Sequence, residues 1–300
     1  MKIAVITGAS SGMGREFVYA LDRDEEFDEL WVIARREDRL RELQSKCRAK
    51  VRPLALDLQD RASFAAYRAL LESEKPEISV LVNAAGFGLF GVFTEMDMDK
   101  QLDIIDLNDR ALTAMCHMSI PYMAAGSRIY NMGSMSSWQP VPYINVYGAS
   151  KAYVLSFSRA LGVELEKQGI RVMAVCPGWI KTEFFSHAIH DNTVNYFNRY
   201  YGPEQVVAKA LKEFVAETSG AADFECAAAA WVKKTLNDHR RVIFNGNGYS
   251  EAWEVEAERR GLPNRKCTPD AMIALKDAKN IALMEEFGVL TKTEMLSRYE

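Results

Sequence analysis

The sequence predicts an α/β fold: a doubly wound parallel sheet with helices on both faces. Three observations lead there. Short apolar runs alternate with amphipathic stretches along the first 180 or so residues. The runs are apolar at nearly every position, as strands buried on both faces must be. A glycine-rich turn directly follows the first run and opens the first helix.

The elements follow in order. "IAVIT" is a strand, and residues 13–22 form a helix. "ELWVIA" is a strand followed by the polar helix "EDRLRELQSK"; "VRPLAL" is a strand followed by the helix "RASFAAYRALLES". "ISVLVN" is a strand, residues 97–125 hold a long helix, and "RIYNM" is a strand. Residues 145–167 are a helix and "RVMAVC" is a strand. The crossovers of such a sheet are right-handed. After "VCPG" the pattern loosens into a stretch, 183–202, rich in aromatics, Asn and His. Two helical runs, "PEQVVAKALKEFVAE" and "FECAAAAWVKKTL", and a last strand, "RVIFNG", come next. From about residue 251 the chain is charge-rich helix, with Thr268 as an N-cap, Pro269 at the first helical position and Gly288 at a C-terminal stop. "TKTE" at 291–294 is a capping box for a short final helix. The division expected is a domain over 1–250, with a lid over 183–220, and a helical extension over 251–300.

Composition excludes several classes. The chain has 300 residues, is 48% hydrophobic and carries a net charge of −4, so it can bury a large core and shows no basic footprint for nucleic acid or an anionic membrane. The start of the chain reads as a strand rather than a signal peptide, and no apolar run approaches the roughly 18 residues a membrane span needs. Five scattered cysteines, odd in number and without a CxxC, suit free thiols in a reducing cytoplasm.

"ITGASSGMG" places Gly8, Gly12 and Gly14 where the backbone must turn sharply and let a pyrophosphate approach a helix N-terminus. The spacing is G-x-x-x-G-x-G, on a Rossmann-type architecture that more often carries G-x-G-x-x-G. About twenty residues further on, an NAD-binding fold places an acid at the end of the second strand. This chain has Arg35 and Arg36 there, with no carboxylate to repel a phosphate and two guanidiniums to pair with one. NADP(H) is therefore expected over NAD(H); the plainer alternative is that Arg36 is only a solvated charge at the start of a helix, which could hold for one of the two arginines.

"VYGASK" sets Tyr147 four residues before Lys151, about one helical turn, so both leave the same face. A free phenol has a pKa near 10, too weak an acid or base for neutral conditions, and a neighbouring ammonium favours its phenolate. Taken alone, a tyrosine on a helix is ordinary core packing.

Together these residues resemble the classical short-chain dehydrogenases/reductases, near the ketoacyl and hydroxysteroid reductases of bacteria. "TGASSGMG" fits the T-G-x-x-x-G-x-G loop, "NAAG" at 83–86 the motif after the fourth strand, "YGASK" the Y-x-x-x-K pair and "PGWIKTEF" the P-G-x-x-x-T motif. Ser134 stands thirteen residues before Tyr147, the family's usual gap. The resemblance spans roughly residues 1–185, with 222–246 similar to the family's last helix and strand. It implies that Tyr147 exchanges a proton with a carbonyl or alcohol oxygen that Ser134 also holds. It implies that Lys151 holds the nicotinamide ribose and that Asn108 holds a water linking Lys151 to solvent. Asn108 alone could be a helix interruption, and Ser136 and Ser137 stand beside Ser134 as rivals. The cofactor contacts implied are Gly8, Ser10, Ser11, Gly12, Met13, Gly14, Arg35, Arg36, Asp57, Leu58, Asn83, Ala84, Ala85, Gly86, Tyr147, Lys151, Pro177, Gly178, Ile180 and Thr182. Asp57 would lie near the adenine.

Other clusters are weaker. Cys116 and His117 are adjacent and leave a helix in different directions, a poor nucleophile–base pair. His187, His190 and Asp191 could converge on a metal, but a polar lid loop explains them better, and no metal is expected. The function expected is an NADP(H)-dependent oxidoreductase interconverting a secondary alcohol and a ketone or aldehyde, with a fairly apolar small-molecule substrate. The rival is a protein of the same fold that binds NADPH for regulation and turns nothing over. A homodimer or homotetramer is expected from the resemblance alone.

Overall fold

The computed structural model describes residues 1–138, 141–188 and 200–216. The chain divides into two compact units, 1–232 and 233–300, and the second lies outside the described residues. The helix and strand expected within 222–246 and the helices expected over 251–300 therefore also lie outside them.

Six parallel strands form one sheet in the order β3-β2-β1-β4-β5-β6. They are β1 (Lys2–Thr7), β2 (Glu29–Ala34), β3 (Lys50–Ala55), β4 (Glu77–Asn83), β5 (Arg128–Met132) and β6 (Arg171–Val175). The strand order reverses between β1 and β4. In such sheets that switch point is where a crevice opens beyond the carboxyl ends of the strands. β1 is central, and Ile3, Ala4, Val5 and Ile6 are fully buried. β3 lies at an edge, where Pro53 costs the sheet little because its missing N–H is needed least there.

The helices divide between the faces. Phe17, Val18 and Leu21 of α1 (Gly12–Asp24) join Val207 and Ala210 of α8 (Pro203–Ala216) in one apolar layer. Tyr67 and Leu71 of α3 (Arg61–Glu74) join Met115 and Cys116 of α5 (Leu112–Ser119) in the other. α2 (Glu37–Gln44) packs on the first layer through Leu40 and Leu43. α6 (Asn145–Leu165) sends Leu155 to the first layer and Val154 to the second.

Two features depart from a plain alternation of strand and helix. The long helix expected over 97–125 is α4 (Met98–Ile105) and α5 joined by a π turn, Asp106–Ala111, with Asn108 inside it. A π turn widens the helix by one residue, a device found mostly at functional sites. At the other end of the sheet, Glu29 is only 4% exposed. It accepts from Trp31 Nε1 at 2.9 Å and Lys50 Nζ at 2.6 Å, and pairs with Arg52 Nε at 2.7 Å. Burial works to raise its pKa, but the bonds from Lys50, Trp31 and Arg52 outweigh that and hold it below the usual carboxylate range.

Candidate active site

At the carboxyl end of β1 the backbone makes its turn with no side chain in the way. Gly8 has φ +66°, and a β-carbon there would lie 2.6 Å from Ala84 O. A β-carbon on Gly14 would lie 2.4 Å from Gly8 O. Only glycine fits either place. Ser11 is the N-cap of α1 and makes no side-chain cap bond, so it leaves the first amides of the helix to an anion. Thr7 Oγ accepts from the amides of Ala84 and Ala85, both at 3.0 Å, and so ties the "NAAG" loop to β1.

That loop leads to the second half of the site. A β-carbon on Gly86 would lie 2.8 Å from Asn108 Oδ1 and 3.5 Å from Lys151 Nζ. Asn108 is buried; its amide donates to Phe87 O at 3.0 Å and Ser150 Oγ at 2.9 Å, and its Oδ1 accepts from Phe87 N at 3.1 Å. Lys151 is buried and donates to Met132 O at 2.8 Å. Its Nζ lies 5.6 Å from the centre of the Tyr147 ring. Behind them Asn83, Asn131 and Ser158 form a buried chain at 2.8 and 3.0 Å. Ser134 caps a short turn, Met135–Ser137, and its hydroxyl lies near enough to the phenol of Tyr147 to act on its pKa. Ser136 supplies the amide that Ser134 Oγ accepts, at 3.2 Å, and Ser137 Oγ donates to Lys151 O at 2.7 Å. Of the three serines it is Ser134 that meets the phenol.

The electrostatics are those of buried groups. Burial pushes the Tyr147 phenol up to about 12, against the nearby Ser134 hydroxyl, which lowers it. Burial pushes the Lys151 ammonium down to about 8, against the nearby Asp109 that raises it. Asp109 itself is pushed up to about 7 by burial, with Lys151 opposing. The protein's own groups, without the charge of an oxidised nicotinamide that the sequence reading adds to Lys151, hold the phenol above its ordinary value. The physical reason is that the ammonium is itself desolvated and aimed at a carbonyl.

The two arginines differ, and it is Arg36, not Arg35, that is engaged. Arg35 is exposed, while Arg36 turns to the glycine loop, donating to Ser10 Oγ at 3.0 Å and Ser11 Oγ at 2.8 Å. Asp57 Oδ1 accepts from Gln59 N at 3.0 Å, and Leu58 is buried beside it. Met13 packs on the core below the loop. Pro177 O accepts from Met135 N at 3.0 Å, and a β-carbon on Gly178 would lie 3.2 Å from Met135 Sδ. Ile180 bridges to Tyr201, and Thr182 lies against Gly12. Cys116 is buried, its thiol pushed up to about 12 by burial, while His117 is exposed, so the two form no nucleophile–base pair. The side chains of His187, His190 and Asp191 lie outside the described residues.

Four contributors were not named from sequence: Thr7, Arg39, Asp109 and Glu183. Arg39 lies one turn beyond Arg36, a spacing that could have singled it out. Thr7 and Glu183 adjoin Gly8 and Thr182 within the quoted motifs. Asp109 adjoins Asn108, but only the π turn shows that it is half-buried.

Comparison with known proteins agrees with this geometry. The family model described as short chain dehydrogenase matches residues 2–193. The chain belongs to the short-chain dehydrogenase family. Sulfoacetaldehyde reductase 2 of Chromohalobacter salexigens is 35% identical over 191 residues, 61% of this chain and 74% of that protein. An NADP-dependent 3-hydroxy acid dehydrogenase of Salmonella typhimurium is 29% identical over 247 residues, 80% of this chain and 92% of that protein. The structure of a short-chain dehydrogenase from Sphingobium yanoikuyae in complex with NADPH superposes with a TM-score of 0.64 at 28% identity, over 83% of this chain and 97% of that one. A second family model, the glutamine synthetase C-terminal domain, matches residues 227–300. Glutamine synthetase of Butyrivibrio fibrisolvens is 49% identical over 69 residues, 23% of this chain and only 10% of that protein. The second match begins within 222–246. Short-chain dehydrogenases are oxidoreductases, and this chain shares their fold and motifs. Among the described residues no helix is long and apolar enough to cross a membrane.

Proposed function

We propose that the chain is an NADP(H)-dependent oxidoreductase that interconverts a secondary alcohol and a ketone or aldehyde. The observation that carries this is the phenol of Tyr147, with the Ser134 hydroxyl near it and Lys151 Nζ 5.6 Å from its ring, in the same site as the tight glycine turn after β1. The site fits the cofactor because Gly8 and Gly14 let the loop close tightly on the backbone, where any side chain would clash, and Ser11 leaves the first amides of α1 uncapped. The main-chain amides of Gly12, Gly14, Ser10 and Ser11 would hold the pyrophosphate, and Arg36 the adenosine 2′-phosphate. Asp57 would face the adenine and Lys151 the nicotinamide ribose. The cofactor supplies or accepts the hydride.

Tyr147 then gives a proton to the carbonyl oxygen in reduction and removes one in oxidation. Its high pKa suits the acid role; the positive charge of an oxidised nicotinamide favours the base role. Ser134 holds the same oxygen, and that bond strengthens as charge builds on it. Both amide hydrogens of Asn108 are spent on Phe87 and Ser150, so a water would be taken by its main chain.

An aromatic wall supports a partly apolar substrate. Phe90, Trp179, Phe184 and Phe185 share an apolar cluster with Tyr147, and the Phe184 ring lies 5.4 Å from its ring. The names of the relatives point to small hydroxy acids and aldehydes, 3-hydroxy acids among them. An oligomer is supported by Met98, Leu102 and Ile105, which expose one apolar stripe on α4. A dehydrogenase domain over 1–250 and an extension over 251–300 complete the proposal, with 183–220 as lid and the cytoplasm as location. Chains cut after 226 and after 250 test that boundary, since only the longer one should keep full activity.

The function is tested with Tyr147→Phe on a panel of oxoacids, aldehydes and ketones, following loss of NADPH absorbance. Turnover should fall by roughly 10²–10⁴, the contribution of a placed general acid, with NADPH affinity kept. Silence of the unchanged protein across the panel, while it binds NADPH, would favour the regulator.

A further inference from the structure

Arg36 does not face only the glycine loop. Its Nη1 donates to Glu183 Oε2 at 2.9 Å, and Arg39 Nη1 donates to Glu183 Oε1 at 2.5 Å. Each oxygen of one carboxylate is thus taken by a different guanidinium. The partners come from residues 147 and 144 positions apart. Around them Ser10 Oγ and Ser11 Oγ accept from Arg36, which leaves both hydroxyl protons to be donated onward. Two guanidiniums and two hydroxyl donors are more than one carboxylate needs. They suit the three terminal oxygens of a phosphate.

Glu183 is set over this cradle by its neighbours. Thr182 lies so close to the loop that a β-carbon on Gly12 would come within 3.3 Å of its Cγ2. Phe184 N donates to Thr182 Oγ1 at 3.3 Å. Phe184 is also the first residue of α7 (Phe184–Ala188), and its ring packs on Tyr147. Consecutive residues therefore touch the cofactor arginines and the proton-transferring tyrosine.

We infer that Glu183 occupies the seat of the cofactor's 2′-phosphate, and that NADP(H) binds by displacing this carboxylate from Arg36 and Arg39. Displacement frees residue 183 and, through the next peptide, shifts Phe184 against Tyr147. The 2′-phosphate would then be sensed at the catalytic tyrosine, whereas NAD(H) would leave Glu183 in place. The inference rests on the NADP(H) reading above.

The energetics permit the exchange. The side chains of Arg36, Arg39 and Glu183 are 39%, 34% and 41% exposed, so their ion pairs are of the weak surface kind. A phosphate brings more charge and more acceptor oxygens to the same donors. Bonds from Arg36 and Arg39 hold the Glu183 carboxyl down at about 2, so it stays charged, and competes, across the neutral range.

The test compares adenosine 2′,5′-bisphosphate with 5′-AMP by calorimetry on the full chain. Glu183→Gln should tighten the bisphosphate by roughly three- to tenfold, the range two exposed ion pairs supply, and leave 5′-AMP unchanged. Equal tightening of both probes, no change, or weaker bisphosphate binding would each overturn the competition. Arg36→Gln separates the two levels. If it fails to weaken the bisphosphate relative to 5′-AMP, the NADP(H) reading itself falls. If it weakens the bisphosphate while Glu183→Gln does nothing, only the competition falls. A thermal melt of each variant confirms that it is folded.

Discussion

The two ends of the cleft are built by opposite means. The end beside β1 is made by leaving atoms out. Gly8 and Gly14 let the backbone close on itself, and Ser11 leaves the first amides of α1 uncapped. The end beside α6 is made by tying atoms in, since Asn108, Ser150, Lys151, Asn131 and Ser158 are all buried and all bonded. One end should break when a methyl group is added, the other when an amide is removed.

The largest effect is expected from Gly14→Ala. Its β-carbon meets backbone at 2.4 Å, and backbone cannot rotate away. A loss of roughly 3 kcal/mol in stability, read by urea unfolding, should accompany loss of cofactor binding. Tolerance of alanine there would show that the cradle is looser than its geometry. Asn108→Ala comes next. It strips partners from Phe87 N, Phe87 O and the buried Ser150 Oγ, at a cost of about 2 kcal/mol. Asn108→Asp separates bonding from shape: it keeps the volume and loses the two donors, so it should be nearly as costly. A harmless Asn108→Ala would erase the contrast between the two ends.

The smallest effect belongs to Asp109, whose Oδ1 is buried without a partner. Burial pushes its carboxyl up from an ordinary 3.8 to about 7. The folded chain therefore binds more protons than the unfolded one between those values. Stability should fall as pH rises through that window. Asp109→Asn removes this penalty and should stabilise the protein by on the order of 1 kcal/mol at pH about 8 and hardly at all near pH 4, after allowance for its partial exposure. Melting curves at the two pH values check the sign, and equal shifts at both would mean that Asp109 does not titrate as stated.

Most of the sheet was legible because its signals are local. "ELWVIA" and "RIYNM" begin and end where β2 and β5 do, although each carries buried polar residues, Glu29 in the first and Arg128 and Asn131 in the second. The glycine loop was legible because backbone constraints act within a few residues. The parts that were not legible depend on distance. Glu183 meets Arg36 across 147 positions, and no pattern in one chain marks such a pair. The π turn depends on Asn108 reaching Phe87 and Ser150, neither of which is its helical neighbour. Tyr147 shows the limit of spacing as evidence: one turn from Lys151 puts two groups on one face, but burial decides which way their pKa values move.

The buried carboxylate at the start of β2 has a consequence for how the chain finds its pairing. Glu29 stands opposite Lys50 in the β2–β3 ladder. A slip of one residue would turn Trp31 to the wrong face and strip Glu29 of its cations. That misalignment would bury an unpaired charge, so only one alignment of the two strands survives. The ladder runs unbroken from Glu29 to Ala34, and Arg36 follows two residues later. A glutamate at the foot of the sheet thus acts as an index mark that brings an arginine at its top to the same place in every folded copy.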